Sequence, residues 1–141
     1  MIDYKFYDTS SLLLLAQYDI YPEETMNLSS ITLKEIENIK NNHSKSLEVK
    51  LAAAALAKRI DEQPDKFNIV FFKENMLQPI FDADLPINDD MRILATAIYF
   101  DNTYHPDEII FVSNDISLKN IANLFFGNGI IESIKIKPNF Y

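Results

Sequence analysis

Four acidic residues of this 141-residue chain lie where strands and helices are predicted to end or begin, and they are Asp8, Glu35, Asp90 and Asp115. Asp8 directly follows an aromatic-rich run at positions 4–7, and Asp115 is separated from the apolar run at 109–112 by two residues. Asp90 and Glu35 each lie at the predicted start of a helix. Because strand ends and the helix starts that follow them share one edge of a parallel sheet, the four carboxylates are expected to converge there.

Converging carboxylates indicate metal chemistry. Carboxylates within ~4–6 Å of one another repel and raise each other's pKa, so such a cluster is costly without a compensating charge. A hard divalent cation supplies that charge, and Mg²⁺ typically takes one or two carboxylates, several waters and a substrate phosphate. Such an ion lowers the pKa of a bound water and stabilises charge on a phosphoryl oxygen. The pattern therefore favours a Mg²⁺ or Mn²⁺ site.

Helix capping is the alternative explanation for each acid taken singly. An aspartate at the N-cap accepts hydrogen bonds from free backbone N–H groups and interacts favourably with the helix dipole. Asp8, Asp90 and Asp115 all fit that role, and Glu35 fits the last position of a capping box that begins at Thr32. For one acid alone capping is the simpler reading, whereas four together favour the metal site.

The segments that would position these acids alternate between strand-like and helix-like patterns. Strands are predicted at 4–7, at 67–72 as a strand buried on both faces, at 109–112, and at 133–137 as an edge strand, with a further short apolar stretch at 28–31. Helices are predicted from 9–11 through the leucine run, at 32–40, from 44 or 46 to 61, at 88–100, and at 117–126 with Gly127 or Gly129 as its stop, and 74–88 is predicted as a loop.

This alternation predicts an α/β fold, a three-layer α/β/α arrangement with a mainly parallel central sheet of four or five strands. Right-handed crossovers would place helices on both faces of the sheet. The length is close to the commonest size of one domain, so we expect a single domain over residues 1–141.

Composition excludes several classes of site. The chain has no cysteine, which rules out disulfides, thiolate ligands and cysteine nucleophiles and fits a reducing cytoplasm. It has two glycines, so Gly-rich phosphate loops are absent. The apolar run at 12–16 is far shorter than the ~20 residues that span a bilayer, so neither a membrane segment nor a targeting segment is predicted.

The net charge of −8 is unusual for a protein that binds nucleic acid, because phosphate contacts rest mostly on Lys and Arg. The charge is unevenly distributed, however. Residues 34–73 hold eight of the thirteen basic residues and six acidic ones, a net charge of +2. This distribution is compatible with one mildly basic face, but from charge alone an ordinary solvated surface is the preferred explanation.

Four motifs, in order, resemble those of the PIN domain family, and they span nearly the whole chain. They read KFYDTSSLLLL, LKEIENIK, NDDMRILATAIYF and FVSNDISLKNIA. The motifs look similar to those of the PIN domains attached to PhoH-type ATPases. The resemblance implies a metal-dependent ribonuclease with single-stranded RNA as substrate. It also implies that the catalytic and metal-binding residues are Asp8, Glu35, Asp90 and Asp115. Asp89 competes with Asp90 for the third position, and the Arg-Ile-Leu register favours Asp90.

Three other functions stay open from the sequence. One is a catalytically weak or inactive PIN-fold module that binds RNA or protein, with a homodimer or another protein as its partner. Another is the toxin of a toxin–antitoxin pair. The last is a phosphoacceptor domain, which would need an acidic pair after the first strand, whereas Asp8 is alone there.

Several polar residues near the predicted site have two readings. Ser10 and Ser113 either hydrogen-bond a ligating carboxylate or simply cap a helix. Arg92 is more readily a surface ion-pair partner than a phosphate ligand. His43 and His105 are predicted to be surface residues. A stacking role for Tyr4, Tyr99 or Tyr104 cannot be separated from packing by the sequence.

Overall fold

The computed structural model describes residues 3–104, 108–126 and 130–135. The strands in these residues are β1 (Asp3–Tyr7), β2 (Met26–Ser29), β3 (Phe67–Val70), β4 (Glu108–Val112) and β5 (Ile130–Glu132). The helices there are α1 (Thr9–Tyr18), α2 (Ser30–Lys40), α3 (Leu47–Glu62), α4 (Gln78–Asp82), α5 (Asp89–Tyr104) and α6 (Ile116–Phe125). Short 3-10 turns at Pro64–Lys66 and Glu74–Leu77 complete them.

The described strands form one sheet in the order β3-β2-β1-β4-β5, and every described pair is parallel. The strand β1 is central, with Tyr7 opposite Leu28 of β2 on one side and Val112 of β4 on the other. Parallel pairing brings the carboxyl ends of the strands to one edge. The prediction of a mainly parallel sheet is therefore confirmed, with five strands.

Two apolar cores lie on opposite faces of this sheet, because successive side chains of a strand point to opposite faces. Phe6 belongs to the core under α4, α5 and α6, whereas the neighbouring Tyr7 belongs to the core under α1, α2 and α3. Phe111 and Val112 of β4 divide in the same way. The predicted three-layer α/β/α arrangement is thus confirmed. No helix in the described part of the chain is long and apolar enough to cross a bilayer.

The predicted capping box at Thr32 is wrong. The helix α2 begins two residues earlier, at Ser30, and Ser29 is its N-cap, with the hydroxyl accepting a hydrogen bond from the Ile31 backbone N–H. The strand β2 ends at Ser29 itself, so the chain passes from strand to helix without a loop. Glu35 therefore lies in the second turn of α2 rather than at its start.

The apolar run 67–72 is not a strand buried on both faces. Its strand covers Phe67–Val70 and forms an edge of the described sheet, and Phe71 beyond it is 69% exposed. The predicted loop at 74–88 is wrong in part, since a 3-10 turn and α4 occupy 74–82 and bury Leu77 and Ile80. Runs of apolar residues do not by themselves distinguish an edge strand from a central one.

The predicted edge strand at 133–137 is displaced. The edge strand is β5 at Ile130–Glu132, and residues 133–135 follow it outside any strand, while 136 and 137 lie outside the described residues. The helix α6 ends at Phe125, and Gly127 and Gly129, its predicted stops, also lie outside the described residues.

Asn27 connects three neighbouring strands through its buried amide. Its Nδ2 donates to the Lys5 carbonyl at 2.9 Å, and its Oδ1 accepts from Asn68 Nδ2 at 2.9 Å. We expect Asn27→Ala to lower the free energy of unfolding by about 1–3 kcal/mol, because it leaves buried polar groups without their partners. Asn68→Ala, on the exposed side of the same pair, is the matched control and should cost less. Equal urea midpoints for the two variants would contradict this role.

Candidate functional site

Asp8 lies at the carboxyl end of the central strand and caps α1. Its Oδ1 accepts from the Ser11 backbone N–H at 2.9 Å, and both carboxylate oxygens accept from the Ser10 hydroxyl. From the residue that follows the neighbouring strand β4, the Ser113 hydroxyl donates to Oδ2 at 2.5 Å. The residue is only 2% exposed. The carboxylate is thus fixed from three sides, and the predicted contacts of Ser10 and Ser113 are confirmed.

Burial raises the pKa of the Asp8 carboxyl, while the hydrogen bonds from Ser113, Ser11 and Ser10 lower it. Among the described residues, no cation forms an ion pair with this carboxylate. A buried carboxylate normally has such a partner. Among the described residues, polar donors alone offset the cost of burying this carboxylate.

Asp115 is linked to Asp8 by hydrogen bonds that both residues form with Ser113. It caps α6, with Oδ1 accepting from the Leu118 backbone N–H at 3.0 Å, which confirms the capping role. Its own backbone N–H donates to the Ser113 hydroxyl at 3.0 Å, and that hydroxyl donates to Asp8. One serine therefore connects two of the four predicted acids, and Asp115 is the exposed one of the pair.

Glu35 reaches the same edge from the side of α2. The Thr9 hydroxyl donates to Glu35 Oε1 at 2.6 Å and lies 2.9 Å from the Thr32 hydroxyl. Because the hydrogen of Thr9 is engaged with Glu35, Thr32 must be the donor in the second contact. This pair of buried threonines was missed by the sequence reasoning, although Thr32 precedes Glu35 by three residues and so lies on the same helix face.

Asp90 is the second residue of α5 and does not cap it. The cap is made by Asn88, whose Oδ1 accepts from the Met91 backbone N–H at 2.9 Å. Within the described residues, the Asp90 carboxylate has neither a hydrogen bond nor an ion pair. The capping alternative is therefore wrong for this acid.

The four predicted acids are close enough to influence one another's charge. Burial, followed by the charges of Asp115, Asp8 and Asp89, raises the pKa of Asp90. Burial also raises the pKa of Glu35, and the charges of Asp89, Asp90 and Asp8 add to that effect, while the hydrogen bond from Thr9 opposes it. The structure thus gathers these acids, with Asp89 as a fifth, into one cluster at the carboxyl edge of the sheet.

Asp89 differs from Asp90 in its partners. Its Oδ1 lies 2.9 Å from Arg92 Nη1 and 3.3 Å from Lys34 Nζ, so two cations share one carboxylate oxygen. The ion-pair reading of Arg92 is confirmed. The two neighbouring aspartates are therefore not equivalent, since Asp89 is neutralised by cations and Asp90 is not.

The remaining polar candidates lie apart from the cluster or outside the described residues. His43 is exposed, as predicted, and His105 lies outside the described residues. Tyr4 packs against Phe100, with the ring centroids 5.4 Å apart, and is only partly buried. The packing role is thus the one that the structure supports for Tyr4.

The cluster can be compared with the needs of a divalent cation. In the described part of the chain, no three acidic or histidine side chains are arranged so that they could hold one ion together. A closed cage of protein ligands is therefore not what these side chains form. Mg²⁺ does not require one, because it binds through one or two carboxylates, retains waters and takes phosphate oxygens. Oxygen donors with raised pKa values and no paired cation, such as Asp90, fit that mode.

The comparison with protein families identifies the fold. The PIN domain model matches residues 7–125, so this chain belongs to the PIN domain family. PIN domains are generally nucleases and typically bind divalent metals. A comparison with curated proteins finds no match. The match begins at the residue before Asp8 and contains all four predicted acids.

The uncompensated charge of Asp90 should reduce the stability of the metal-free protein. We expect Asp90→Asn to raise the thermal midpoint in EDTA by about 2 °C, because it removes like-charge repulsion worth ~0.5 kcal/mol at this half-exposed position. Added Mn²⁺ should raise the midpoint of the wild-type protein more than that of the variant. Asp61→Asn, an exposed acid on α3, is the control and should change neither quantity. A destabilised Asp90→Asn protein in EDTA would contradict the repulsion.

Proposed function

We propose that this protein is a metal-dependent ribonuclease that hydrolyses phosphodiester bonds of single-stranded RNA. The observation that carries the proposal is the cluster of acids at the carboxyl edge of the sheet, in which Asp8 is buried and has no ion-pair partner among the described residues. Family membership supports the nuclease chemistry. The lack of cysteine favours action in a reducing compartment such as the cytoplasm.

In this proposal each Mg²⁺ or Mn²⁺ ion, one or two in number, is held by one or two of the carboxylates of Asp8, Asp90 and Asp115 together with waters and the substrate phosphate. When bound, such an ion lowers the pKa of a water and stabilises negative charge on the phosphoryl oxygens. The residues of the chain do the positioning. Serine hydroxyls and a backbone N–H fix the Asp8 carboxylate, so its orientation requires no rearrangement when substrate arrives. Asp90 is preferred to Asp89 because its carboxylate is not engaged with cations.

Glu35 is proposed to orient the attacking water or to bind the second ion. Its Oε1 is held by the Thr9 hydroxyl at 2.6 Å, whereas its Oε2 receives no hydrogen bond from the described residues. One oxygen is therefore fixed and the other is free to accept from a water. In the hydrolysis that water oxygen bonds to phosphorus and gives up a proton to the surrounding water, while the bond from phosphorus to the leaving ribose oxygen breaks and that oxygen takes up a proton from water.

Lys34 and Arg92 are proposed to bind a phosphate of the RNA beside the acids. Lys34 directly precedes Glu35 in the sequence, and Arg92 lies two residues after Asp90. Both cations form an ion pair with Asp89. Their side chains are 55% and 31% exposed, so a phosphate can reach them. The planar guanidinium of Arg92 suits two phosphate oxygens at once. These cations also reduce the repulsion between the acidic site and the RNA backbone.

The similarity to PIN domains of PhoH-type proteins stays a prediction, as does the identity of the metal. The non-catalytic alternatives, an interaction module for RNA or protein, lack a specific observation in their favour. A toxin of a toxin–antitoxin pair would be a ribonuclease with the same site. The proposed function thus depends on whether the cluster cleaves RNA.

Asp8→Asn tests the catalytic site most simply. Asparagine also caps helices well and keeps the acceptor for the Ser11 N–H, so the fold should be retained. We expect cleavage of labelled single-stranded RNA with Mn²⁺ or Mg²⁺ to fall by about 100-fold or more, a loss of ~3 kcal/mol of transition-state stabilisation. EDTA should abolish cleavage by the wild-type protein. Undiminished cleavage by the folded variant would sink the proposal.

The phosphate contacts predict a change in salt dependence. In the double variant Lys34→Ala/Arg92→Ala, we expect KM for single-stranded RNA to rise about tenfold. The slope of log affinity against log salt should shrink by ~0.7 for each cation removed. Lys40→Ala is the matched control, since Lys40 lies on α2 and pairs with Glu37 at 3.1 Å. If the control changes the slope as much as the double variant does, the contacts are nonspecific.

A further inference from the structure

A groove with a volume of about 490 Å³ runs along the open side of β3, between that strand and α5. Its lining includes three aromatic residues, a lysine and two asparagines, which are Phe71, Tyr99, Tyr104, Lys73, Asn68 and Asn75. Among the described strands, β3 pairs with β2 alone, so no other described strand covers this side. The groove is separate from the acid cluster.

The aromatic residues of the groove are unusually accessible. Phe71 is 69% exposed, Tyr99 is 43% exposed and Tyr104 is 57% exposed. Tyr104 is nevertheless held in place, because its ring centroid lies 4.8 Å from that of Phe100 and 6.5 Å from that of Tyr4. Exposed apolar surface that is gathered in one place, with polar residues around it, is typical of a binding site.

We propose that this groove binds unpaired bases of the single-stranded RNA whose cleavage is proposed above, and the inference rests on that proposed function. Aromatic side chains stack on the faces of splayed bases, and the stacking tolerates any base. Lys73 supplies a positive charge for the backbone. The amides of Asn68 and Asn75 can both donate to and accept from base edges.

The sheet places the groove beside the acid cluster. Tyr7 is in register with Leu28 and Leu28 with Ile69, so the next residues along, Asp8 and Val70, lie at one level. Neighbouring strands are ~4.8 Å apart, which puts β3 about 10 Å from β1 across the sheet. The upper end of the groove at Phe71 is therefore close to the edge where the acids converge.

Helix α5 makes a second connection. Arg92 and Tyr99 are seven residues apart, so they lie on nearly the same face of the helix, about 10 Å from each other along its axis. Arg92 lies at the acid end of α5, and Tyr99 lines the groove. A strand of RNA that contacts Arg92 through a phosphate can thus continue along α5 into the groove.

Charge favours RNA over another occupant. Among the described lining residues of the groove, Lys73 is the only charged one, although the chain as a whole carries a net charge of −8. A polyanion therefore meets less repulsion here than on the acidic remainder of the surface. An extended peptide or a second copy of the chain could add to the open side of β3 instead. Neither of these occupants would need the lysine.

Binding of RNA without cleavage tests the proposal. Fluorescence anisotropy would follow a labelled single-stranded RNA in EDTA, with Asp8→Asn as the background so that no cleavage occurs. Phe71→Ala and Tyr99→Ala should each raise Kd by about 5- to 100-fold, the effect of losing one stacked base. Phe81→Ala is the matched control, because Phe81 is a 54% exposed aromatic residue on α4 that does not line the groove. Its Kd should be unchanged.

An abasic oligonucleotide of the same length, which has the sugar-phosphate backbone but no bases, separates the contribution of base stacking from that of charge. It should bind weakly, and Phe71→Ala should not weaken it further, whereas Lys73→Ala should. Unchanged Kd in both aromatic variants, equal loss in Phe81→Ala, or a wild-type protein that binds no RNA would each overturn the proposal. A change of oligomeric state in Phe71→Ala with unaltered RNA binding would overturn it in favour of a second copy.

The groove and the proposed function can fail independently. If the wild-type protein cleaves no RNA with any metal but loses RNA binding in the aromatic variants, the groove stands and the nuclease proposal falls. If cleavage depends on Asp8 while the Kd for RNA is unchanged in Phe71→Ala and Tyr99→Ala, the nuclease proposal stands and the groove proposal falls.

Discussion

The arrangement of the site depends on one constraint, the burial of the Asp8 carboxylate without an ion-pair partner in the part of the chain that the structure describes. Taking a carboxylate out of water costs several kcal/mol unless other groups replace the water. Here the replacement is a set of donors from two segments, the α1 start and Ser113 after β4. The Ser10 and Ser11 donors are local to the start of α1, whereas the Ser113 donor is in place only when β1 and β4 pair in parallel, so this part of the site depends on the sheet.

The acids around Asp8 lower the stability of the metal-free fold, because burial and mutual repulsion disfavour their charged forms and raise the pKa values of Glu35 and Asp90. Protein groups relieve this destabilisation only in part, through the Thr9 hydroxyl at Glu35 and through the cations Lys34 and Arg92 at Asp89. Natural sites often sacrifice stability for function in this way. Under the proposed function, a divalent cation and an RNA phosphate would complete the compensation at the acids and the neighbouring cations, and the aromatic groove would contact the bases.

Much of this could be predicted from the sequence, because the local signals agree with the fold. The runs before Asp8 and Asp115 identify the strands, and a parallel sheet then brings both acids to one edge. The start of α2 was missed because Ser29 serves as both the last strand residue and the N-cap. The edge position of β3 was missed because it depends on strand order, which an apolar run does not encode. The contact between Thr9 and Glu35 likewise joins two residues that are 26 positions apart in the sequence, and it follows only from the packing of α1 against α2.

Binding of a divalent cation by the acid cluster of the folded protein is the property on which the proposed function depends most. Isothermal titration of Mn²⁺ into the wild-type protein, with Asp8→Asn as the paired sample, measures this without any substrate. We expect saturable binding of one or two ions per chain that is lost or greatly weakened in the variant. Absence of binding in the wild-type protein at millimolar Mn²⁺, or equal binding by the folded variant, would contradict it.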